Sequence, residues 1–104
     1  MSGPENISKV QRLRSRDGGK CWLCGGPMDF KAEGNSARSA TIEHLIPQCR
    51  NGPDTIDNLV LCHPACNGEL GDLPLVEKIA MRETRREDAW KAAMRKQIGK
   101  LLIP

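Results

Sequence analysis

Three short stretches decide the fold of this chain: CWLCGGP at residues 21–27, TIEHLIP at residues 41–47 and DNLVLCHPACN at residues 57–67. The first is a tight two-cysteine knuckle with glycines directly after its second cysteine. The second is apolar and β-branched and predicts a strand that Pro47 ends. The third begins as another strand and continues into a second knuckle and a short helix, which we expect to stop at Gly71.

Segments with helical patterns flank these stretches. A short helix is predicted from about Ser8 to Arg14, where a turn with two glycines follows. Within residues 73–104, Pro74 suits a first helical position, and Thr84 with a glutamate three positions later fits a capping box. This pattern predicts either two helices or one long helix broken near Thr84. Its apolar stripe, which we interpret as core packing, comprises Leu75, Val76, Ile79, Ala80, Trp90, Ala93, Met94, Ile98, Leu101 and Leu102.

Length and composition exclude several classes of protein. The chain has 104 residues, of which 38% are hydrophobic and only three are aromatic, so we expect one domain with a thin core. No apolar run approaches the roughly 20 residues that span a bilayer, which excludes a transmembrane protein. The first twenty residues hold no apolar run, and we therefore expect no secretory signal. Clustered apolar residues and mixed charges exclude a disordered chain.

Charge divides the chain into three segments. Residues 1–20 form a basic N-terminal segment with five basic and two acidic residues. Residues 21–72, the predicted core, contain three basic and seven acidic residues. Residues 73–104, a helical segment that we expect to pack on that core, contain eight basic and four acidic residues. An acidic centre between basic arms suggests a cation site beside surfaces for a polyanion, and ordinary solvated helix faces are the alternative.

Five cysteines without an export signal indicate a reducing, intracellular compartment, where paired cysteines are more often metal ligands than disulfides. Two pairs of soft ligands far apart in sequence would hold the two halves of the core on a structural zinc ion. The candidate zinc ligands are Cys21, Cys24, Cys66 and either His63 or Cys62, because the spacing allows both. Cys49 has no partner in sequence, and we expect a small buried side chain there.

A second group of residues has a catalytic character. His44 follows Glu43 at the end of the first predicted strand, and Asn67 follows the last cysteine of the second knuckle. A carboxylate and an amide oxygen are ligands for a Mg²⁺-type cation, and an imidazole is a base that can be tuned near neutral pH. Taken alone, the Glu43-His44 pair also fits a surface carboxylate beside a structural histidine.

Residues 21–72 resemble the HNH endonuclease family. The resemblance rests on the order of the first knuckle, the run TIEHLIP, the turn Asn51-Gly52-Pro53-Asp54 and the stretch from Asn58 through the second knuckle. The variant it resembles carries Asn as its third signature residue, so the signature here is His44, Asn58 and Asn67. The resemblance implies an α+β fold of the ββα-metal, or His-Me finger, type: a two-stranded hairpin and a helix around one catalytic cation, with a structural zinc.

The family roles would place His44 as the general base, Glu43 and Asn67 as ligands of the catalytic cation, and Asn58 as the residue that orients the His44 backbone across the loop. The cation would be Mg²⁺, Mn²⁺ or Ni²⁺. The family pattern favours His63 over Cys62 as the fourth zinc ligand. Glu43 stands where many members have Asp, and Leu70 stands where a Lys is common.

The resemblance implies an endonuclease that hydrolyses DNA phosphodiester bonds, and we expect nicking with low sequence specificity because no base-reading motif is present. Basic side chains would contact the phosphate backbone, namely those of the N-terminal segment and Lys78, Arg82, Arg85, Arg86, Arg95 and Lys96. Two alternatives remain. The chain could be a zinc-stabilised DNA- or protein-binding module without catalysis, or a partner-dependent nuclease of a phage-type packaging machine, with a protein partner on the C-terminal helix.

Overall fold

The computed structural model describes residues 8–31 and 36–102. The first seven residues of the predicted basic segment and the last two of the C-terminal segment lie outside this part. Its elements are α1 (Lys9–Asp17), β1 (Thr41–His44), β2 (Leu59–Cys62), α2 (Pro64–Leu70) and α3 (Leu75–Leu102), with single 3₁₀ turns at Gln48–Arg50 and Ile56–Asn58. Helices combined with a small two-stranded sheet confirm the predicted α+β class.

The two strands form an antiparallel hairpin joined by a long loop. Thr41 lies opposite Cys62 and His44 lies opposite Leu59. In the loop, Asn51 adopts the left-handed conformation with φ 67°. The next residue, Gly52, packs so closely against the backbone of Ile46 that a Cβ atom at position 52 would overlap the carbonyl oxygen of Ile46. The turn predicted from these residues therefore depends on an asparagine that tolerates positive φ and on a glycine without a side chain.

The short helix α2 confirms the prediction from the third stretch. Pro64 is its first residue, where a missing N–H costs no hydrogen bond. The helix ends at Gly71, which has φ 47° and donates its N–H to the carbonyl oxygen of Asn67. Its buried residues are Cys66 and Leu70, so one face of this helix covers the hairpin.

The helix α1 extends one turn beyond the predicted Arg14. Ser8 and Gln11 form a capping box, in which each side chain accepts a hydrogen bond from the backbone N–H of the other residue. Gly18, with φ 80°, ends the helix. Leu13 is fully buried and joins the core that Leu23, Leu59, Leu61 and Leu70 build around β2. Within the described ranges, no helix is long and apolar enough to cross a membrane.

The helix α3 differs from both sequence expectations. It is one continuous helix of 28 residues, and Thr84 lies in its interior, so the predicted capping box and break are wrong. The prediction of core packing is also wrong for much of the apolar stripe, because Trp90 is 62% and Leu101 75% exposed. The helix is about 42 Å long at 1.5 Å per residue, whereas the two shorter extents of the molecule are 33 and 23 Å. The core is therefore too small to cover the second half of α3, and residues 87–98 are all exposed.

Candidate active site and metal centre

Four side chains from two knuckles meet at one point. The ligand atoms of Cys21, Cys24, His63 and Cys66, here called the four-donor cluster, all lie within 4.8 Å of one another. The His63 Nδ1 atom is 3.4 Å from Cys24 Sγ and 3.9 Å from Cys66 Sγ. In a tetrahedral zinc site, neighbouring ligand atoms are roughly 3.5–3.8 Å apart, given bonds of about 2.3 Å to sulfur and 2.0–2.1 Å to nitrogen. The set of three thiols and one imidazole fits a zinc ion and suggests zinc binding.

The structure brings His63, and not Cys62, to the four-donor cluster. The two neighbours at the end of β2 point in different directions, as successive residues of an extended segment do. His63 Nε2 donates a hydrogen bond of 2.9 Å to the carbonyl oxygen of Pro27, which leaves the Nδ1 lone pair facing the cysteines. A second hydrogen bond of this kind orients most metal-binding histidines. Cys62 is fully buried beside Cys21.

Electrostatics of the four-donor cluster favour a bound cation. The Cys62 thiol donates a hydrogen bond to Cys21 and lowers the pKa of Cys21 to about 3. The same bond, together with burial, raises the pKa of Cys62 well above its ordinary value. Burial and the charges of Cys21 and Cys24 raise the pKa of Cys66 to about 12. Three thiolates so close together need a compensating positive charge, which a zinc ion would supply.

A polar cleft of about 430 Å³ opens on another side of the hairpin. Glu43 and His44 reach it from the end of β1, and Asn67 reaches it from α2. Asn67 lies directly after Cys66, so the four-donor cluster fixes the helix that carries this amide. Three of the four residues that the sequence singles out for catalysis, Glu43, His44 and Asn67, therefore share one cleft, which is separate from the cluster. The fourth, Asn58, is not among the residues that line it.

The Asn67 amide is oriented by β1. Its nitrogen donates to the hydroxyl oxygen of Thr41 at 3.1 Å and to the carbonyl oxygen of Ile42 at 3.0 Å. Because both N–H groups are used by the strand, the amide oxygen Oδ1 is the atom available to the cleft, and an amide oxygen is a suitable ligand for a hard cation. The orientation of the amide follows from this hydrogen-bond pattern.

Glu43 is buried and paired, so the alternative hypothesis that it is a surface carboxylate is wrong. Its exposure is 6%, and its Oε2 atom accepts a hydrogen bond of 3.0 Å from Lys78 Nζ. Lys78 is fully buried and also donates to the carbonyl oxygen of His44 at 2.7 Å. A buried ammonium is tolerated only when it is paired and hydrogen-bonded in this way. The sequence predicts that Lys78 contacts DNA phosphates, and its burial corrects that expectation.

His44 is oriented by Asp54, whose place in the sequence predicts only a turn. Its Nε2 atom lies 3.1 Å from Asp54 Oδ1. Since a carboxylate only accepts hydrogen bonds, Nε2 carries the proton and the lone pair of the neutral ring is on Nδ1. The other oxygen of Asp54 pairs with Lys9 Nζ at 2.9 Å. The hydrogen bonds from Lys9 and His44 lower the pKa of Asp54 below its ordinary value.

Asn58 ties the loop of the hairpin together. Its Oδ1 accepts from the backbone N–H of Ile46 at 2.8 Å, and its Nδ2 donates to the carbonyl oxygens of Ile46 and Pro53, each at 2.9 Å. The side chain therefore bonds across the loop to Ile46, two residues after His44, whereas the His44 carbonyl oxygen bonds to Lys78. Through Pro53, Asn58 also fixes the segment that carries Asp54.

Three basic side chains on one face of α3 connect the helix with both sites. Lys78, Arg82 and Arg86 are spaced four residues apart, so they lie in one row. Arg82 Nε donates to the carbonyl oxygen of Trp22 at 2.8 Å. The Arg86 guanidinium donates to that oxygen at 2.9 Å and to the carbonyl oxygen of Cys21 at 3.2 Å. Arg85 is paired with Glu69. Of the α3 residues expected on phosphates, Arg95 and Lys96 are exposed on the described helix.

A comparison with protein families agrees with this geometry. The family model described as HNH endonuclease matches residues 21–73, which include both knuckles, the hairpin and α2. The chain belongs to the HNH endonuclease family. Membership of this family suggests nuclease activity in general and implies a DNA substrate. A search of curated proteins finds no relative of this HNH chain.

Proposed function

We propose that this HNH protein is a cation-dependent endonuclease that hydrolyses phosphodiester bonds of DNA, with His44 as its general base. One observation supports the proposal most strongly. The Nε2 atom of His44 is held by Asp54, which leaves the Nδ1 lone pair for a water molecule in the cleft that Glu43 and Asn67 share. A base of this kind must carry its lone pair at the reacting atom, and the Asp54 contact sets that tautomer.

Glu43 and Asn67 would hold the catalytic cation, which we propose to be Mg²⁺, Mn²⁺ or Ni²⁺. When bound, the cation supplies positive charge for the developing charge on the phosphate and for the 3′-oxygen that leaves. Glu43 offers Oε1, because Oε2 is paired with Lys78, and Asn67 offers Oδ1. Two protein ligands leave the remaining positions to water and to a phosphate oxygen of the substrate, as is usual for Mg²⁺.

His44 Nδ1 accepts the proton of the attacking water as the new oxygen–phosphorus bond forms. The bond from phosphorus to the 3′-oxygen then breaks, and the 3′-oxygen takes a proton from solvent water. The imidazolium that results lies beside the Asp54 carboxylate, which stabilises its positive charge. Asn58 acts without touching the reacting atoms, since its hydrogen bonds fix the loop that carries Asp54.

Cys21, Cys24, His63 and Cys66 would bind a structural zinc ion that joins the first knuckle to the start of α2. We propose residues 21–72 as the zinc-bound HNH core, residues 1–20 as a basic N-terminal segment and residues 73–104 as a helical segment packed on the core. Because zinc thiolates require reduced cysteines, we propose that the protein works in a reducing compartment, the cytoplasm.

DNA contacts would come mainly from exposed basic side chains and the phosphate backbone. Arg95 and Lys96 on α3 and Arg12 on α1 are exposed. Contacts of this type carry no sequence information and weaken with salt. We therefore expect low sequence specificity, and one active site per chain would nick a single strand.

Relaxation of supercoiled plasmid tests this proposal. The zinc-loaded chain should nick plasmid with added Mg²⁺, Mn²⁺ or Ni²⁺ and should not nick it when no such cation is added. His44→Ala should lose at least about 100-fold in rate, the lower end of what a general base contributes, while it retains zinc and binds DNA. Cleavage that persists in His44→Ala would contradict the role of this residue.

The exposed face of α3 supports a second candidate function, a nuclease that acts only with a protein partner. Trp90, Ile98 and Leu101 are exposed on the described helix. A folded, zinc-loaded chain that binds DNA but shows no cleavage with any of the three cations would favour this candidate or a binding module without catalysis.

A further inference from the structure

We propose that Lys78 is a positioning residue whose ammonium neutralises the charge of the Glu43 carboxylate. A divalent cation then binds tightly only together with a DNA phosphate. This inference rests on the proposed function, since it concerns the cation that Glu43 and Asn67 would hold. It adds a residue outside the matched segment of residues 21–73 to the active site.

The contact of Lys78 with Glu43 is buried and specific. The ammonium donates to Glu43 Oε2 at 3.0 Å and to the carbonyl oxygen of His44 at 2.7 Å. The Lys78 side chain is fully buried, and the Glu43 side chain is 7% exposed. Lys78 is not among the residues that line the cleft. Its ammonium acts on the cleft through the Glu43 carboxylate, whose Oε2 it holds while Oε1 is left for a ligand.

The charges around the site follow from these contacts. Glu43 contributes one negative charge, Asn67 contributes none, and the Lys78 ammonium cancels the charge of Glu43 at short range. The other carboxylate that lines the cleft, Asp72, is exposed at the rim, and solvent screens its charge. Asp54 faces His44 and is paired with Lys9. The two protein ligands and the lysine behind them therefore carry no net charge.

A neutral pair of ligands binds a divalent cation weakly, because high affinity needs more negative charge than the site offers. A DNA phosphate in the cleft would supply the missing negative charge. The affinities for cation and DNA are then coupled, and each ligand strengthens the binding of the other by the same factor. This arrangement delays tight cation binding until the substrate is present.

Binding of Mn²⁺ to the full zinc-loaded chain, measured by electron paramagnetic resonance of free Mn²⁺, tests the inference without DNA. Lys78→Gln removes the charge and keeps a hydrogen-bond donor, and Lys78→Arg keeps the charge. Lys91→Gln is the matched control, because Lys91 pairs with Glu87 on the same helix at 3.0 Å but is exposed.

We expect Lys78→Gln to bind Mn²⁺ roughly tenfold more tightly than the wild type, since one elementary charge near a partly buried site has at least this effect. Lys78→Arg and Lys91→Gln should stay within about twofold of the wild type. A purely structural role of Lys78 would instead weaken Mn²⁺ binding when the residue is changed. Equal or weaker binding by a Lys78→Gln protein with native zinc content and circular dichroism would overturn the inference.

A second measurement does not depend on the folding of a Lys78 variant. His44→Ala protein, which should not cut, is titrated with Mn²⁺ with and without a duplex oligonucleotide. We expect roughly tenfold tighter Mn²⁺ binding with DNA, and no change would overturn the inference. Because neither measurement uses cleavage, a failed nuclease proposal remains distinguishable: plasmid could stay intact while the Mn²⁺ affinities behave as described.

Discussion

The four-donor cluster and the cleft differ in how completely the protein fills them. The cluster is closed, since four side chains from two knuckles meet within 4.8 Å and leave no position for substrate. The cleft is open, because Glu43 and Asn67 offer two oxygens and the space between them and His44 is large enough for water and a substrate phosphate. The difference agrees with our proposal that a zinc ion in the cluster stabilises the fold, whereas the cleft carries out the chemistry.

Removal of zinc should have the largest effect, because it should unfold the chain. Structural zinc contributes about 10–16 kcal/mol of apparent folding free energy in small zinc domains, and this chain has a thin core that offers little else. A strong chelator should therefore abolish the helical circular dichroism and the thermal transition, and added zinc should restore both. Removal of Mg²⁺ alone should leave the fold intact. A native spectrum after complete zinc loss would contradict the structural role of the cluster.

The next largest effect should appear at Asp54 in the cleft. Asp54→Asn keeps the shape but weakens the contact that holds His44 Nε2, so we expect kcat for plasmid nicking to fall about 10- to 100-fold. The loss should be smaller than for a buried aspartate, because Asp54 is exposed and screened. Asp57→Asn, an exposed carboxylate in the same loop, is the control. Equal rates for Asp54→Asn and the wild type would exclude a role for the contact.

Substitutions of Cys62 and His63 test which of these two neighbours binds zinc. His63→Ala should lose zinc, because it removes a donor atom of the cluster. Cys62→Ala should keep one zinc per chain and lower the free energy of unfolding by about 1–2 kcal/mol, the cost of a small buried cavity and a lost hydrogen bond. Zinc content and urea denaturation measure both outcomes. A Cys62→Ala protein without zinc would mean that Cys62 is the ligand.

The smallest effect should come from the exposed half of α3. Leu101→Ala should change the free energy of unfolding by no more than about 0.5 kcal/mol, since the side chain is 75% exposed. Leu70→Ala, in the fully buried core, should cost about 2–5 kcal/mol. Thermal denaturation of the two variants side by side checks the contrast. A large loss for Leu101→Ala would show that this half of the helix is packed in solution.

Local signals in the sequence were sufficient to predict the hairpin and α2. The β-branched run before Pro47, together with Pro64 and Gly71 at the ends of α2, specifies conformation through each residue's own backbone preferences. The choice between Cys62 and His63 could not be made in this way. It depends on the carbonyl oxygen of Pro27, 36 residues earlier, which accepts a hydrogen bond from His63 Nε2.

The errors have a common physical origin in tertiary contacts. Helical periodicity shows which face of α3 is apolar but not whether the core is large enough to cover it, and Trp90 is exposed for that reason. Lys78 has the pattern of a solvated helix residue, and only its partner Glu43, 35 residues earlier, explains its burial. The sequence predicts a buried Cys49, but this residue is exposed, since the 3₁₀ turn at Gln48–Arg50 places it beside the cleft.

Asp54 was missed because its position in the turn already explains an aspartate there. A search for carboxylates within reach of the only histidine outside the knuckles would have pointed to it, since a catalytic imidazole needs an orienting partner. The loop length alone does not show which acidic residue returns to His44. That information comes from Asn58, which bonds to Pro53 and so fixes the neighbouring Asp54.

Plasmid nicking with both metals controlled independently tests the central claim, that the cleft and not the four-donor cluster is the nuclease site. Wild type and His44→Ala are assayed with and without added Mg²⁺, and zinc is measured in every sample. We predict one zinc per chain throughout, nicking only by the wild type and only with Mg²⁺. Nicking by the zinc-loaded wild type without Mg²⁺, or by His44→Ala with it, would contradict the account.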